Sequence, residues 1–427
     1  MATNPSQVLR YAGDVSIDKV LITTSRGFYQ DVTAQVINLQ IFEDIFSPFM
    51  SGNIVLRESL DLVNLFPFIG EEFLDLEIST PTIPHGKIKQ RFHIYKLTDR
   101  QLLGDRLVAY QLHFMSVESV VDLNKKISKV YSGKISELVG RFVTDTTDGL
   151  ESEKNFYVQT TRNNLKYISN YWSPVKNITF LAENSLSESG SPSYLFFENR
   201  NGFNFVSLEA LYNNESVQEF KVDRYTRDKV PLGGSALNTG EDFKRISSLN
   251  IPVGFDYIDR IRSGMMASRL VSYDVTKKVY TARNYNMFQK YDKQVHLNKY
   301  PISSDSAIFR ANSLMINYPR AFENFSGFGD STNARMVQER ISLMKQAEAG
   351  KISINVPGRV DYTVGQKVKV TLNKIEPIAK NETDIVDKMF SGYYIVAAIN
   401  HYITRQQHEC YMELIKDSSM VNFNEKK

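Results

Sequence analysis

Strict alternation of apolar and polar residues marks the first quarter of the chain. Ile37, Leu39 and Ile41 alternate with Asn38 and Gln40; Ile54 and Leu56 resume the pattern after Pro48 and Ser51-Gly52; Val108, Tyr110, Leu112 and Phe114 continue it. A period of two puts such residues on one face of a strand, so 15–122 is predicted to be short antiparallel strands joined by Gly and Pro turns, a small barrel or sandwich. The period then lengthens. In 134–144, Ile135, Leu138, Val139 and Phe142 fall at i, i+3, i+4 and i+7, one face of a helix. A second helix is predicted from Ser173-Pro174, where the hydroxyl can cap and the proline lacks only an N–H that no helix start uses, through Val175, Ile178, Leu181 and Ala182. Tyr194–Glu198 and Phe203–Val206 flank Asn199-Arg200-Asn201-Gly202, a hairpin turn, and Trp172 is expected to pack where the second helix meets the sheet.

After the glycine-rich stretch 231–240, strand-like segments return around 246–261 and 270–285. Residues 286–330 are rich in Asn, Tyr, Phe, Ser and Gly without clean periodicity, so they are read as an insertion or long contact loop. A helix is predicted over 333–349, about 25 Å long, with Val337, Ile341, Met344 and Ala347 on one face and Gly350 to end it. Strands then run to Lys416 through turns at Pro357-Gly358, Val364-Gly365 and 404–407.

One pattern occurs twice. Gly70-Glu71-Glu72 opens a run in which Leu74, Leu76 and Ile78 share a face; Gly365-Gln366-Lys367 opens one in which Val368, Val370 and Leu372 do. Each is followed by an aromatic-rich strand (Phe92–Tyr95, Tyr393–Val396) and a last alternating strand (Tyr110–Phe114, Tyr411–Leu414). The expected fold is therefore mainly β with α+β parts: two similar small antiparallel β-barrels, the second discontinuous, plus an α/β domain and an insertion. The expected boundaries are 1–122 for the first barrel, 123–240 for the α/β domain, 241–285 with 333–427 for the second barrel, and 286–332 for the insertion. Two similar units in one chain suit two equivalent positions in an assembly.

Composition restricts the chemistry. The chain has 427 residues and a net charge of +3 from 51 basic and 48 acidic side chains, far from the basic stripe of a dedicated nucleic-acid binder. No run approaches the roughly 18 apolar residues of a membrane span, and Met1–Gly13 holds no apolar block of signal-peptide type. Cys410 is the single cysteine, which excludes an intrachain disulfide; it alternates with His408 and Met412 on a strand and reads as a small core residue. The six histidines, His85, His93, His113, His296, His401 and His408, form no H-E-x-x-H motif and no zinc spacing with the lone cysteine. Gly233-Gly234 and Gly327-Phe328-Gly329 fit no phosphate loop, Gly-x-Ser-x-Gly is absent, and adjacent Glu71 and Glu72 cannot flank one glycosidic bond. His401, just past an apolar strand, reads as structural. No catalytic, cofactor-binding or metal-binding residue is named, no cofactor is expected, and the chain is not expected to be an enzyme.

The order of several segments carries a family resemblance. These are Phe42-Glu43-Asp44-Ile45-Phe46-Ser47-Pro48 with Ser51–Ser59, the Phe66–Glu72 turn, Tyr110–Phe114 with Ser116-Val117-Glu118, Ser173-Pro174, Tyr194–Leu208, Gln338–Gly350, Val356-Pro357-Gly358, Gly365, and Gly392–Val396 with His401. In that order they resemble the central baseplate hub proteins of contractile-tailed (T4-like) phages and, more distantly, the hub portion of type VI secretion spikes. The stretch 286–330 departs from the pattern. The resemblance implies a homotrimer whose two barrels per subunit form a torus of six, adapting a three-fold tail spike to a six-fold tail tube around the DNA and tape-measure channel of a virion tail baseplate, assembled in the host cytoplasm. Its implied partners are the central spike, the tube initiator and tube proteins, other baseplate proteins and the tape measure, with transient DNA passage and no membrane insertion. The alternatives left open are a tail-associated cell-wall hydrolase and a carbohydrate-binding β protein.

Overall fold

The structure, a computed structural model, describes residues 11–65, 68–81, 87–221, 242–274, 278–304, 313–317, 332–374 and 386–424. The glycine-rich 231–240, His85, Phe66-Pro67, Gly327-Phe328-Gly329 and much of 286–332 lie outside the described residues.

The first alternating region forms β1 (Ser16–Thr23), β2 (Tyr29–Asp31), β3 (Val36–Asp44), β4 (Ser51–Glu58), β5 (Phe73–Ser79), β6 (Lys87–Gly104) and β7 (Leu107–Ser116). They pair antiparallel in the order β3-β4-β7-β6-β5-β1-β2. Leu39, Ile41, Ile54, Leu56, Leu74, Leu76, Ile78, Tyr110, Leu112 and Phe114 share one buried core, as the period of two requires. Ile37 is the exception. The β3–β4 register shifts between Val36 and Asn38, and the extra residue turns Val36 inward and leaves Ile37 40% exposed.

Next comes a compact α/β module. The helices Val117–Asn124, Ile135–Thr144, Pro174–Glu183 and Leu208–Asn213 alternate with β8 (Ile127–Lys134), β9 (Phe156–Val158), β10 (Asn164–Trp172), β11 (Tyr194–Asn199) and β12 (Gly202–Ser207). β8 pairs with β10, and β11-β12-β9 form a second small sheet. Both helix predictions hold in detail. Ile135, Leu138, Val139 and Phe142 are buried in the module's core, and the Ser173 hydroxyl accepts from the Lys176 amide (3.3 Å) with Pro174 at the helix start. Trp172 meets Phe180 of that helix and Tyr167 of β10, with ring centroids 5.2 and 6.4 Å away.

The second strand set comprises β13 (Ser216–Lys221) and β14 (Ser248–Asn250), then, after an interruption, β19 (Gly350–Pro357), β20 (Lys367–Thr371), β21 (Gly392–Thr404) and β22 (His408–Lys416). Within the interruption β15 (Ala267–Asp274), β16 (Val279–Asn286) and β18 (Ser313–Asn317) make a sheet of their own; the short β17 (Tyr300–Pro301) pairs with β23 (Ser418–Ser419). The helix Thr332–Ala347 packs on that sheet. Its buried face is Met336, Leu343 and Ala347 with polar Gln338, Ser342 and Gln346; of the apolar stripe predicted, Ala347 is buried while Val337, Ile341 and Met344 are half-buried. Neighbouring carbonyls explain the difference: the Gln338 amide donates to Ser268 O (3.0 Å) and the Ser342 hydroxyl to Met265 O (2.6 Å). No helix among the described residues is long and apolar enough to cross a membrane.

The second set repeats the first. Its order, β14-β19-β22-β21-β20-β13, follows β3-β4-β7-β6-β5-β1 strand for strand and in the same chain order. Registers agree as well: Leu74 faces Phe92 and Val368 faces Tyr394; Ile54 faces Leu112 and Ile354 faces Met412; Leu39 faces Ile54 and Leu249 faces Ile354. Even the irregularities recur. The Ile94 amide donates to Glu72 O (2.8 Å) and the Val396 amide to Gln366 O (2.9 Å), and each strand then bulges, between Ile94 and Lys96 and between Val396 and Ala398. The sets differ at the edge, where β1 is antiparallel to β5 but β13 parallel to β20. They differ also in the hairpin 45–50, whose counterpart is the whole segment 251–349.

Candidate functional site at the junction of the two strand sets

The two sets are fused into one thirteen-stranded sheet. β21 is long enough to have two partners along one edge: Lys367–Val370 of β20 pair with Gly392–Ile395, and Asn38–Asp44 of β3 pair with Ala398–Thr404. Core residues of both sets meet across this seam.

Charge is buried at the seam. Glu43, 2% exposed, accepts from the amides of Val364 (3.1 Å) and Arg200 (3.2 Å) and from the Thr363 hydroxyl, tying β3 to the loop before β20 and to the β11–β12 turn. Burial pushes its carboxyl up to about 7, against the pull of those donors and of the Arg200 guanidinium. Arg200 donates to Val360 O, and the Gln90 amide donates to Arg200 O (2.7 Å). A second cluster pins the module to the first set: Lys154 Nζ bridges Glu118 (2.7 Å) and Glu198 (2.6 Å), while Glu198 also accepts from Met50 N (3.0 Å) and the Ser116 hydroxyl. Both carboxylates are held by one ammonium, so this arrangement serves as a clamp.

His401, His408 and Cys410 converge at the same seam. The turn Thr404–Gln407, closed by the Thr404 amide on Gln407 O (2.9 Å), sets His401 opposite Cys410, and His408 lies two residues before Cys410 on the same face. His401 Nδ1 is 3.0 Å from His408 Nε2, and Cys410 Sγ is 3.4 and 3.5 Å from them. All three residues are fully buried. Burial keeps the thiol protonated by raising it and lowers both imidazoles, His401 to about 3, so the trio is neutral near pH 7. No local spacing announced this cluster; the hairpin register would have. Of the other histidines, His93 bonds Gly70 O (2.9 Å), His113 bonds the Thr98 hydroxyl (2.9 Å) and His296 bonds Asp417 (2.6 Å), each within its own neighbourhood. Glu71 and Glu72 face opposite ways: the Glu72 carboxylate accepts from the Ile69 and Gly70 amides (2.9 Å each) and Glu71 is exposed.

Several edges of the sheet have no strand partner among the described residues, the outer side of β2 and most of that of β13 among them. Two others correspond to the strands of the seam: the first is the outer side of β14, the second the side of Lys96–Gly104 opposite β7. Leu102 on the second is 80% exposed and Leu249 on the first 37%.

No family model and no curated protein matches the chain. Solved structures do match. A tail protein from Neisseria meningitidis MC58 superposes with a TM-score of 0.53 at 10% identity, over 95% of this chain and 97% of that one. The 43 kDa tail protein of prophage MuSo2 from Shewanella oneidensis gives 0.53 at 6% identity, over 94% and 98%. An E. coli component of the type VI secretion system superposes more loosely, at 0.43 and 8% identity, over 96% and 79%. With nearly the whole of both chains superposed in the first two cases, the protein has the fold of these phage tail proteins.

Proposed function

We propose that the protein is a structural hub of a phage tail or phage-like contractile injection system: a homotrimer whose six similar units form a ring between a three-fold spike and a six-fold tube. The observation that carries this reading is an unused pairing. Within the chain, β3 of the first set docks on the Ala398–Thr404 part of β21 in the second. The strand-for-strand repeat makes β14 the counterpart of β3, and Lys96–Gly104 the counterpart of that part of β21. Both edges are without a strand partner among the described residues. Strand edges left open invite another chain. Docking β14 of one chain on Lys96–Gly104 of the next repeats the internal seam between chains, head to tail, a contact that forms a ring when its rotation divides the full turn evenly. Three chains are the number implied by the resemblance to baseplate hubs. In register with Ile403 opposite Leu39, Leu102 would face Leu249 across the chain boundary.

The likeness in fold to two tail proteins supports the tail assignment. A ring of this kind binds by area and shape, to spike on one side and to tube and other baseplate proteins on the other, with the tape measure and the DNA passing through the channel. The α/β module and 251–349, present once per chain, would mark the three-fold side. Light scattering and negative-stain class averages test this directly: a three-fold ring, alone or with its spike, is expected, and a monomer under both conditions would refute it.

A further inference from the structure

We propose that His401, His408 and Cys410 form a buried metal site for a zinc-class divalent cation, which staples the two strand sets at their seam. The carrying observation is that three donor atoms, two imidazole nitrogens and a sulfur, converge within 3.5 Å of one another inside the fully buried junction. Zinc–nitrogen and zinc–sulfur bonds in a tetrahedral site place ligand atoms about 3.3 Å apart for two nitrogens and about 3.6 Å for nitrogen and sulfur. The observed 3.0, 3.4 and 3.5 Å fall within a few tenths of that.

Hydrogen bonding alone leaves the trio poorly satisfied. One proton between His401 Nδ1 and His408 Nε2 makes one imidazole the donor and the other the acceptor. The far nitrogens, His401 Nε2 and His408 Nδ1, are then a lone pair without a donor and an N–H without an acceptor, in either tautomer, and both atoms are buried without a partner. A cation uses both inner lone pairs at once, so that neither imidazole has to act as donor to the other. On binding, the Cys410 thiol gives up its proton to solvent and binds as thiolate, and the remaining single positive charge sits among the Glu43, Asp361 and Glu409 carboxylates and the Arg200 guanidinium. Two imidazoles and a thiolate are donors suited to zinc.

The first strand set supplies the control. Its counterparts of His408 and Cys410 are Val108 and Tyr110, which pair with Leu102 and Leu56 as His408 and Cys410 pair with Ile403 and Val356. The scaffold therefore fills these places with ordinary core residues, and the nitrogen and sulfur donors are an addition peculiar to the second set. Gly358 admits the His408 ring, because a Cβ there would come within 2.3 Å of it.

Since the site is enclosed, the ion should load as the chain folds. Elemental analysis of full-length protein, purified without chelator and also refolded with zinc, should find about one ion per chain. Refolding with cobalt should give a thiolate-to-cobalt charge-transfer band, and Cys410→Ser should abolish that band while far-UV circular dichroism is retained. Below about 0.1 ion per chain in both preparations with no cobalt band, or an unchanged ion content in Cys410→Ser, overturns the proposal. If Cys410→Ser does not fold, the wild-type cobalt band decides alone. None of these outcomes depends on the ring.

Discussion

The two strand sets share an order and a register, yet they fill the same positions by different means. In the first, Gly52 sits opposite Phe114; in the second, Ile352 sits opposite Leu414. The same space is occupied once by nothing plus a large ring and once by two branched aliphatic side chains. Farther along the same face the first set uses Leu56 and Tyr110, the second Val356 and Cys410. Strand order follows from the alternation of apolar positions and from the turns; packing needs only complementary volumes. Deviations from plain complementarity, such as the His-Cys trio, are where a further role should be sought.

The comparison can be broken most forcefully at Gly52. A Cβ there would lie 2.3 Å from Gln40 O and 2.4 Å from the Phe114 ring, so Gly52→Ala should cost about 3 kcal/mol or more in denaturant unfolding. Phe114→Leu should recover less than half of it, because the Gln40 carbonyl cannot move aside. Ile352→Ala at the equivalent position should cost a similar amount, about 3 kcal/mol, for the opposite reason, a cavity. If Gly52→Ala proves neutral, the large-against-nothing account of the first set is wrong.

Glu43 lies in the part of β3 that extends beyond the length of β14, so the second set has no strand residue in its place. Its carboxyl rises from 4.5 to about 7 through burial. The folded state therefore holds a proton that the unfolded chain has lost between about pH 4.5 and 7, and stability falls as pH rises through that window, by about 3 kcal/mol in all. Below it the full contribution is present. Urea unfolding across pH 4.5–7 should show the decline, and Glu43→Gln should flatten it; a wild-type stability that rises over the window contradicts the assignment.

The smallest expected effect sharpens the equivalence of the turns. Glu72 Oε1 accepts from the Ile69 amide at 2.9 Å and Gln366 Oε1 from the Thr363 amide at 3.1 Å, in matching places. Glu72→Ala should cost about 1–2 kcal/mol, and Glu72→Gln should restore most of it, since an amide already does this work in the second set. Equal losses for both variants in thermal unfolding would show that the two turns are held differently.

Much of this was legible in the sequence, for stated physical reasons. Alternation identified the core faces of β3 to β7, the 3.6 period identified Ile135–Thr144, and the Ser173-Pro174 start was read from capping chemistry alone. The match of Leu74, Leu76 and Ile78 with Val368, Val370 and Leu372 followed from comparing two turns. Other features depend on distant partners. The pairing of β3 with β21 joins segments more than 350 residues apart, and no local pattern encodes that choice. The segment 270–285 alternates as a strand should, but alternation does not say which sheet a strand joins, and β15 pairs with β16 and β18 in a sheet of their own instead of entering the large sheet. The His-Cys cluster lay between these cases. The 404–407 turn was read correctly, and counting outward from it sets His401 against Cys410; a search for contiguous ligand motifs passes over a site built across a hairpin.

The central claim is that the open edges of one chain repeat its internal seam with the next. Introducing Leu102→Cys together with Leu249→Cys, and treating the assembled protein with a short thiol-specific cross-linker, tests it at the residue level; Cys410 is fully buried and leaves the reaction to the new pair. Covalent dimers and trimers from the double variant, with at most dimers from a mixture of the two single variants and none from either alone, are the result expected of a head-to-tail ring. An assembled protein in which the double variant gives no cross-linked species would show that Lys96–Gly104 and β14 do not meet, and the account of the repeat as six places from three chains would fall.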